Sequence, residues 1–284
     1  MKTGFIGLGH LGMAMAKRLI SEGLELVIWN RTKEKAKDLG VKIADSPSSL
    51  VSEVDVLILN LFDSVAVDSV INGENGILSG NCRGRIIIDT TTNHFDRVAH
   101  FHEQLRQRDA FYLESPVLGS VVPASQGALT VLVSGEEMAF QRALPYIEKL
   151  GKNIFFLGEP ALATKVKLIN NLVLGSFMAA LAEAVSFGER AGVAKDKVME
   201  ILAAGAGNSA VLSAKREKLL TEDFSPHFSS ALIYKDLHYL QDLARTLKRP
   251  LFVGSIAKEL FGMTFARNLD TMDFSAVYRI FTGI

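Results

Sequence analysis

The chain is poor in cysteine and carries no net charge. Cys82 is the single cysteine among 284 residues, so no internal disulfide can form and no cysteine-rich metal site exists. That economy suits a reducing cytoplasm, the expected location. Lys plus Arg and Asp plus Glu both number 31, a formal net charge of 0. No basic block stands out, so the electrostatic footprint of a nucleic-acid or anionic-membrane binder is missing. No uncharged apolar run approaches bilayer-spanning length. The opening MKTGFIGLGHLGMAMA looks superficially like a leader, yet its glycines fall where a strand and turn need them and Lys17-Arg18 follows directly, so it is read as the start of the fold. His94, His100 and His102 lack a cysteine partner or an i,i+4 pair, and no metal site is expected from them. Gly-x-Ser-x-Gly, Walker and paired-carboxylate patterns are absent as well.

What remains is an ordinary globular mixture, 48% hydrophobic and 22% charged, which excludes disorder as the main state. At roughly 150 residues per domain the length suggests two domains or one large one. Short apolar runs at Thr3–Ile6, Leu24–Trp29, Val54–Leu61, Arg85–Asp89, Phe111–Glu114, Ala128–Val133 and Ile154–Leu157 read as strands. Helical stretches at Met13–Ile20 and Thr32–Leu39 alternate with the first of them. That order predicts an α/β domain, a doubly wound parallel sheet of the Rossmann kind over residues 1–158. The texture then changes. Fifteen of the 23 glycines lie before residue 159, and strand signal almost vanishes beyond it. From Glu159-Pro160 to Gly192 the chain is rich in Ala, Leu and Val. A helix of about 30 residues would reach about 45 Å, the spine of a second, all-helical domain over 159–284 that serves substrate binding and dimerisation.

Gly7-Leu8-Gly9-His10-Leu11-Gly12 matches G-x-G-x-x-G. The spacing alone is weak, but here it follows a strand and opens a helix, as dinucleotide binding requires. Gly7 permits the turn, Gly9 lets the backbone approach a pyrophosphate and Gly12 lets helix and strand pack closely. The helix N-terminus supplies N–H groups for the phosphates. At the end of the second strand, where a carboxylate would bind the ribose of NAD, the chain reads Asn30-Arg31-Thr32. These side chains donate hydrogen bonds and predict NADPH over NADH. Lys33 and Lys35 either add charge there or form a solvated helix start. The strand-end segments Asn60-Leu61-Phe62 and Thr90-Thr91-Thr92 should line the same crevice, although a threonine run is equally consistent with turn chemistry.

Lys167, Asn170 and Asn171 stand three and four residues apart and share a helix face amid Leu168, Ile169, Leu172, Val173 and Leu174. A lysine and two amides on a buried face need partners or a function. Burial lowers a lysine's pKa and suits it to proton exchange; the alternative is a snorkelling lysine. Lys165 points away and is expected in solvent.

Taken together, GFIGLGHLGMAMA at 4–16, NRT at 30–32, DTTT at 89–92, ESPVLGS at 114–120, KLINN at 167–171, KDL at 235–237 and DFSAV at 273–277 resemble the β-hydroxyacid dehydrogenase family over the whole chain. In motif the chain is most similar to its glyoxylate/succinic semialdehyde reductases. The resemblance implies Lys167 as catalytic acid/base and Asn171 as the residue that orients substrate. It places Lys235 and Thr92 near the nicotinamide, and Leu118, Gly119, Ser120, Asn170 and Asp236 around the substrate. It also implies a small carboxylate-bearing aldehyde or hydroxy acid as substrate and a homodimer or homotetramer. The family's D-A-P-V-S-G-G is here Glu114–Ser120, with Leu118 in place of the serine. The family's G-x-G before the lysine is here Ala161-Leu162-Ala163. An imine reductase or a non-catalytic NADP-binding module on the same scaffold is the alternative; the former branch usually lacks the lysine.

Overall fold

The computed structural model describes residues 2–283. The chain divides into two compact units between Lys167 and Leu168. The first unit opens with β1 (Thr3–Ile6), α1 (His10–Ser21), β2 (Leu26–Trp29), a 3-10 segment at Lys33–Leu39, β3 (Lys42–Ile43), α2 (Pro47–Glu53), β4 (Val56–Leu59) and α3 (Ser64–Asn72). It continues with β5 (Ile86–Asp89), α4 (Phe95–Arg106), β6 (Phe111–Glu114), β7 (Val117–Leu118), α5 (Val121–Ser125), β8 (Leu129–Ser134), α6 (Glu137–Ile147) and β9 (Gly151–Gly158).

Among the described residues the nine strands form one sheet in the order β3-β2-β1-β4-β5-β6-β8-β7, with β9 on β8. Strands β1 to β6 are parallel, in register from Thr3↔Leu26 and Thr3↔Val56 through Ile86↔Phe111. The expected Rossmann sheet is therefore present. It turns mixed at its far end, where β8 runs antiparallel to β6 and β7. The central strands are apolar on both faces because both are covered. Phe5, Ile58, Ile88 and Leu113 join Met15 and Leu19 of α1 and Phe140 of α6 in one core, while Leu57, Leu59 and Ile87 are as deeply buried. Truncating such a side chain costs roughly 2–5 kcal/mol.

Several expected elements are shorter or tighter than the sequence suggested. The fourth strand keeps Val56–Leu59 of Val54–Leu61. Thr32–Leu39 is a 3-10 turn rather than an α-helix: only Ala36 in it is buried, and left-handed Gly40 (φ 64°) ends it. With one apolar anchor there is too little burial to hold an α-helix.

α7 runs from Leu162 to Arg190. It is long and apolar enough by length and composition to cross a bilayer, though 44% of the qualifying window is buried within the protein; its uncharged run extends only from Leu168 to Ala182, between Lys167 and Glu183. From Leu168 onward it belongs to the second unit, with α8 (Lys195–Ala204), α9 (Ala210–Thr221), α10 (Ser230–Thr246), α11 (Val253–Ala266), a 3-10 turn at Phe274–Val277 and α12 (Tyr278–Thr282). Gly175 and Gly188 let α7 approach its neighbours. A Cβ at Gly188 would sit 2.4 Å from Val198 Cγ2 of α8, and one at Gly175 3.2 Å from Leu237 Cδ1 of α10.

Candidate active site

The glycine loop can be tested position by position. Gly7 is left-handed at φ 104°, and a Cβ there would lie 2.1 Å from Asn60 O. A Cβ at Gly12 would lie 2.0 Å from Gly7 O. Both glycines are therefore required by the protein's own packing. Gly9 is different. It caps the N-terminus of α1 without a side-chain hydrogen bond, and a Cβ there would meet nothing within 4 Å. That open approach to the helix N–H groups fits a pyrophosphate. His10 is exposed and Leu11 half-buried along the same rim.

The end of β2 shows a structural part for Asn30. Asn30 is not an uncommitted donor for a ribose phosphate. Its Oδ1 accepts from Leu8 N–H at 2.8 Å and its Nδ2 donates to Thr32 O at 2.8 Å. The amide ties the glycine loop to the strand end because it can accept and donate at once. Arg31 and Thr32 are exposed beside it.

The threonine run divides between its two readings. Thr90 Oγ1 donates to Leu59 O at 2.6 Å and accepts from Asn60 Nδ2 at 2.9 Å. Thr91 Oγ1 accepts from Leu61 N–H at 2.9 Å. These two latch the loop after β5 to the loop after β4. Thr92 is half-buried next to them, and Phe62 is 51% exposed. Beneath the latch lies Asp89, fully buried, which accepts from Thr91 N–H, Asn93 Nδ2 and Tyr112 Oη. Burial raises its pKa, and hydrogen bonds from Thr91, Tyr112 and Asn93 pull it back.

The loop of Leu118, Gly119 and Ser120 follows β7. Leu118 and Ser120 are half-buried, and Gly119 is exposed at φ 116°. Lys167 is 6% exposed and its Nζ donates to Val117 O at 2.9 Å, so it is not a snorkelling side chain. Lys165 departs from its expected place in solvent: it is half-buried, with Nζ 6.0 Å from the Phe95 ring centre, where a cation–π contact is favourable. Ala161 adopts φ 70°, so the missing glycine of the family motif falls on a position that favours glycine. Glu114 and Thr164, which sequence reasoning did not single out, are joined in the same unit by a 2.5 Å hydrogen bond.

In the second unit Asn171 is fully buried. Its Nδ2 donates to Asp236 Oδ2 at 2.6 Å, and its Oδ1 accepts from Asn170 Nδ2 at 3.1 Å. Lys235 Nζ lies 3.2 Å from Asp236 Oδ1 and 5.4 Å from the Tyr239 ring centre. Asp236 is 1% exposed. One oxygen thus holds Asn171 and the other, buried without a hydrogen-bond partner, faces Lys235. Among the described residues, no group of three or more His, Cys, Asp or Glu is placed to hold a metal ion.

Residues 2–158 match the family profile described as the NAD binding domain of 6-phosphogluconate dehydrogenase. Residues 162–281 match that described as NAD-binding of NADP-dependent 3-hydroxyisobutyrate dehydrogenase. Glyoxylate/succinic semialdehyde reductase 1 of Arabidopsis thaliana is 30% identical over 280 residues, covering 98% of this chain and 97% of the plant protein. Human cytokine-like nuclear factor N-PAC is 31% identical, and this chain spans 51% of it. The crystal structure of 3-hydroxyisobutyrate dehydrogenase from Salmonella typhimurium superposes with a TM-score of 0.91 at 27% identity, over 99% of both chains. The glycine loop, the two profiles and the whole-length matches to the plant reductase and the Salmonella dehydrogenase define an oxidoreductase that uses a nicotinamide dinucleotide. Within that class, the chain belongs to the β-hydroxyacid dehydrogenase family.

Proposed function

We propose that the protein reduces a small aldehyde acid, of the succinic semialdehyde or glyoxylate type, to its hydroxy acid with NADPH. The observation that carries this reading is Lys167, a buried ammonium hydrogen-bonded to Val117 O at the base of the Leu118–Ser120 loop. Gly7–Gly12, Arg31, Thr32, Asn60–Phe62 and Thr92 would hold the cofactor. The reduced nicotinamide, when bound, supplies hydride to the carbonyl carbon. Lys167 donates the proton to the carbonyl oxygen, and its positive charge stabilises the developing alkoxide in a site that needs no metal. In the oxidative direction neutral Lys167 takes the hydroxyl proton. Backbone N–H groups of Gly119 and Ser120 and the Ser120 hydroxyl receive the carboxylate, while Leu118 offers apolar surface where the family pattern has a hydroxyl. This favours a methylene spacer, as in succinic semialdehyde, over a compact polar one, as in tartronate semialdehyde. Asn171, held by Asp236 and Asn170, orients the substrate. The protein is read as a homodimer or homotetramer, which the exposed Phe252, Val253, Ile256 and Met263 on and beside α11 support.

The test is NADPH oxidation against glyoxylate, succinic semialdehyde, tartronate semialdehyde, methylmalonate semialdehyde and a cyclic imine. Turnover separates a reductase from a module that only binds cofactor, and the preferred substrate separates it from an imine reductase. Lys167→Met is expected to lower kcat by about 10²–10⁴-fold with NADPH binding retained. A near-normal rate would refute the assignment.

A further inference from the structure

Glu114 is the one charged side chain in an otherwise uncharged run, FYLESPV. It ends β6 and is 1% exposed, where a carboxylate is costly unless it is hydrogen-bonded. Its Oε2 accepts from Thr164 N–H at 3.2 Å and from Thr164 Oγ1 at 2.5 Å. Its Oε1 is buried without a hydrogen-bond partner. Burial pushes its pKa up to about 7, with the Thr164 hydroxyl and the amides of Thr164, Ala161 and Ala163 opposing the rise.

Ala163 and Thr164 belong to the first turn of α7 and Ala161 immediately precedes it; the N–H groups of a first turn lack acceptors within the helix, and the dipole there favours negative charge. Neither Pro160 nor Ala161, immediately before the helix, has a side chain that can cap it. Glu114, 50 positions upstream of Thr164, takes that part for the Thr164 N–H, and Ser134 Oγ accepts from Ala163 N–H at 3.1 Å. One turn further along, Lys167 donates to Val117 O, again across 50 positions. The pairs 114/164 and 117/167 are thus two rungs between the same two segments. Residues three apart on a helix stand on one side of it, so the first rung fixes the turn from which the lysine of the second projects.

We propose that Glu114 is a positioning residue for Lys167. Through Thr164 it fixes the first turn of α7 against the end of β6, and thereby sets where the Lys167 ammonium stands at the Val117–Ser120 loop. The inference rests on Lys167 being the proton donor. Its chemical logic is reach: a small misplacement of a reacting group slows a reaction by orders of magnitude while leaving binding intact.

The experiment compares Glu114→Asp, Glu114→Gln, Thr164→Val and Lys167→Met, with NADPH and succinic semialdehyde as probes. Glutamine keeps an acceptor at full length and is expected to hold kcat within threefold. Aspartate is one methylene too short and is expected to lower kcat tenfold or more, with KM and the NADPH dissociation constant within threefold. A second readout needs no turnover. Acetylation of Lys167 by acetic anhydride, followed by peptide mass spectrometry, should be several-fold faster in Glu114→Asp and unchanged in Glu114→Gln. If Glu114→Asp does not fold, Thr164→Val decides, with an expected three- to tenfold loss of kcat and faster labelling. Full kcat and unchanged labelling in the folded variant with an inactive Lys167→Met overturn the role of Glu114 alone. An active Lys167→Met overturns the proton-donor reading beneath it.

Discussion

The buried carboxyl of Glu114 should leave a mark on stability as well as on the lysine. Its pKa lies at about 7 in the folded protein against an ordinary 4.5. The folded state therefore holds the proton more tightly. The stabilisation this confers is complete below pH 4.5, declines as pH rises and is gone once pH passes about 7. At 1.36 kcal/mol per pKa unit the whole span is roughly 3 kcal/mol. His102 acts in the opposite sense. Burial depresses it to about 4 from 6.5, so its contribution is complete above pH 6.5 and is lost as pH falls toward 4. Between those limits the two slopes offset each other, and the wild-type curve alone hides both. Glu114→Gln separates them, because an amide has no proton to shed. Urea unfolding of both proteins from pH 4.5 to 8 should show the variant gaining roughly 3 kcal/mol on the wild type across that range. Parallel curves would refute the reading of Glu114 as a carboxyl buried at the cost of its charge.

Arg31→Ala should weaken NADPH by roughly ten- to hundredfold, the worth of one charge-assisted hydrogen bond, and NADH far less; equal losses in fluorescence titrations would remove Arg31 from phosphate recognition. Leu118→Ser should raise the kcat/KM ratio of tartronate semialdehyde to succinic semialdehyde several-fold by restoring a hydroxyl worth about 1 kcal/mol, and an unchanged ratio means that Leu118 does not select substrate. Restoring the two missing glycines should have unequal effects in urea unfolding. Ala161→Gly relieves a left-handed residue and is neutral or stabilising, whereas Ala163→Gly, inside α7, costs about 1 kcal/mol; equal shifts contradict the backbone argument.

Of the parallel strands β1 to β6, all but β3 were legible because each is a short apolar run closed by a turn; β3, the two residues Lys42–Ile43, is too short and too polar to register. β7 and α5, two and five residues long, carry too few residues for periodicity to register. Gly7, Gly12 and Lys167 were legible because their chemistry depends on spacing along the chain. The parts that escaped are those held by partners remote in sequence. The hold of Asp236 on Asn171, 65 residues away, has no signature in the local sequence. Asn30 looked uncommitted until Leu8 claimed its carbonyl. The one advance signal for Glu114 was chemical incongruity, a charge inside an apolar strand.

The double bond-making of Asn30 has a consequence for anyone wishing to redesign cofactor choice. The usual conversion toward NAD places a carboxylate at the end of the second strand to grip the ribose. In this chain that exchange would keep an acceptor for Leu8 N–H but set a second carboxylate oxygen against Thr32 O, where Asn30 now donates. Two facing acceptors repel, and the strain would travel directly into the glycine loop that must receive the pyrophosphate. Selectivity and loop shape are inherited together at this position. A change of cofactor is more readily reached by first altering Arg31 and Thr32, whose side chains extend into solvent, than by rewriting the residue that stitches the turn.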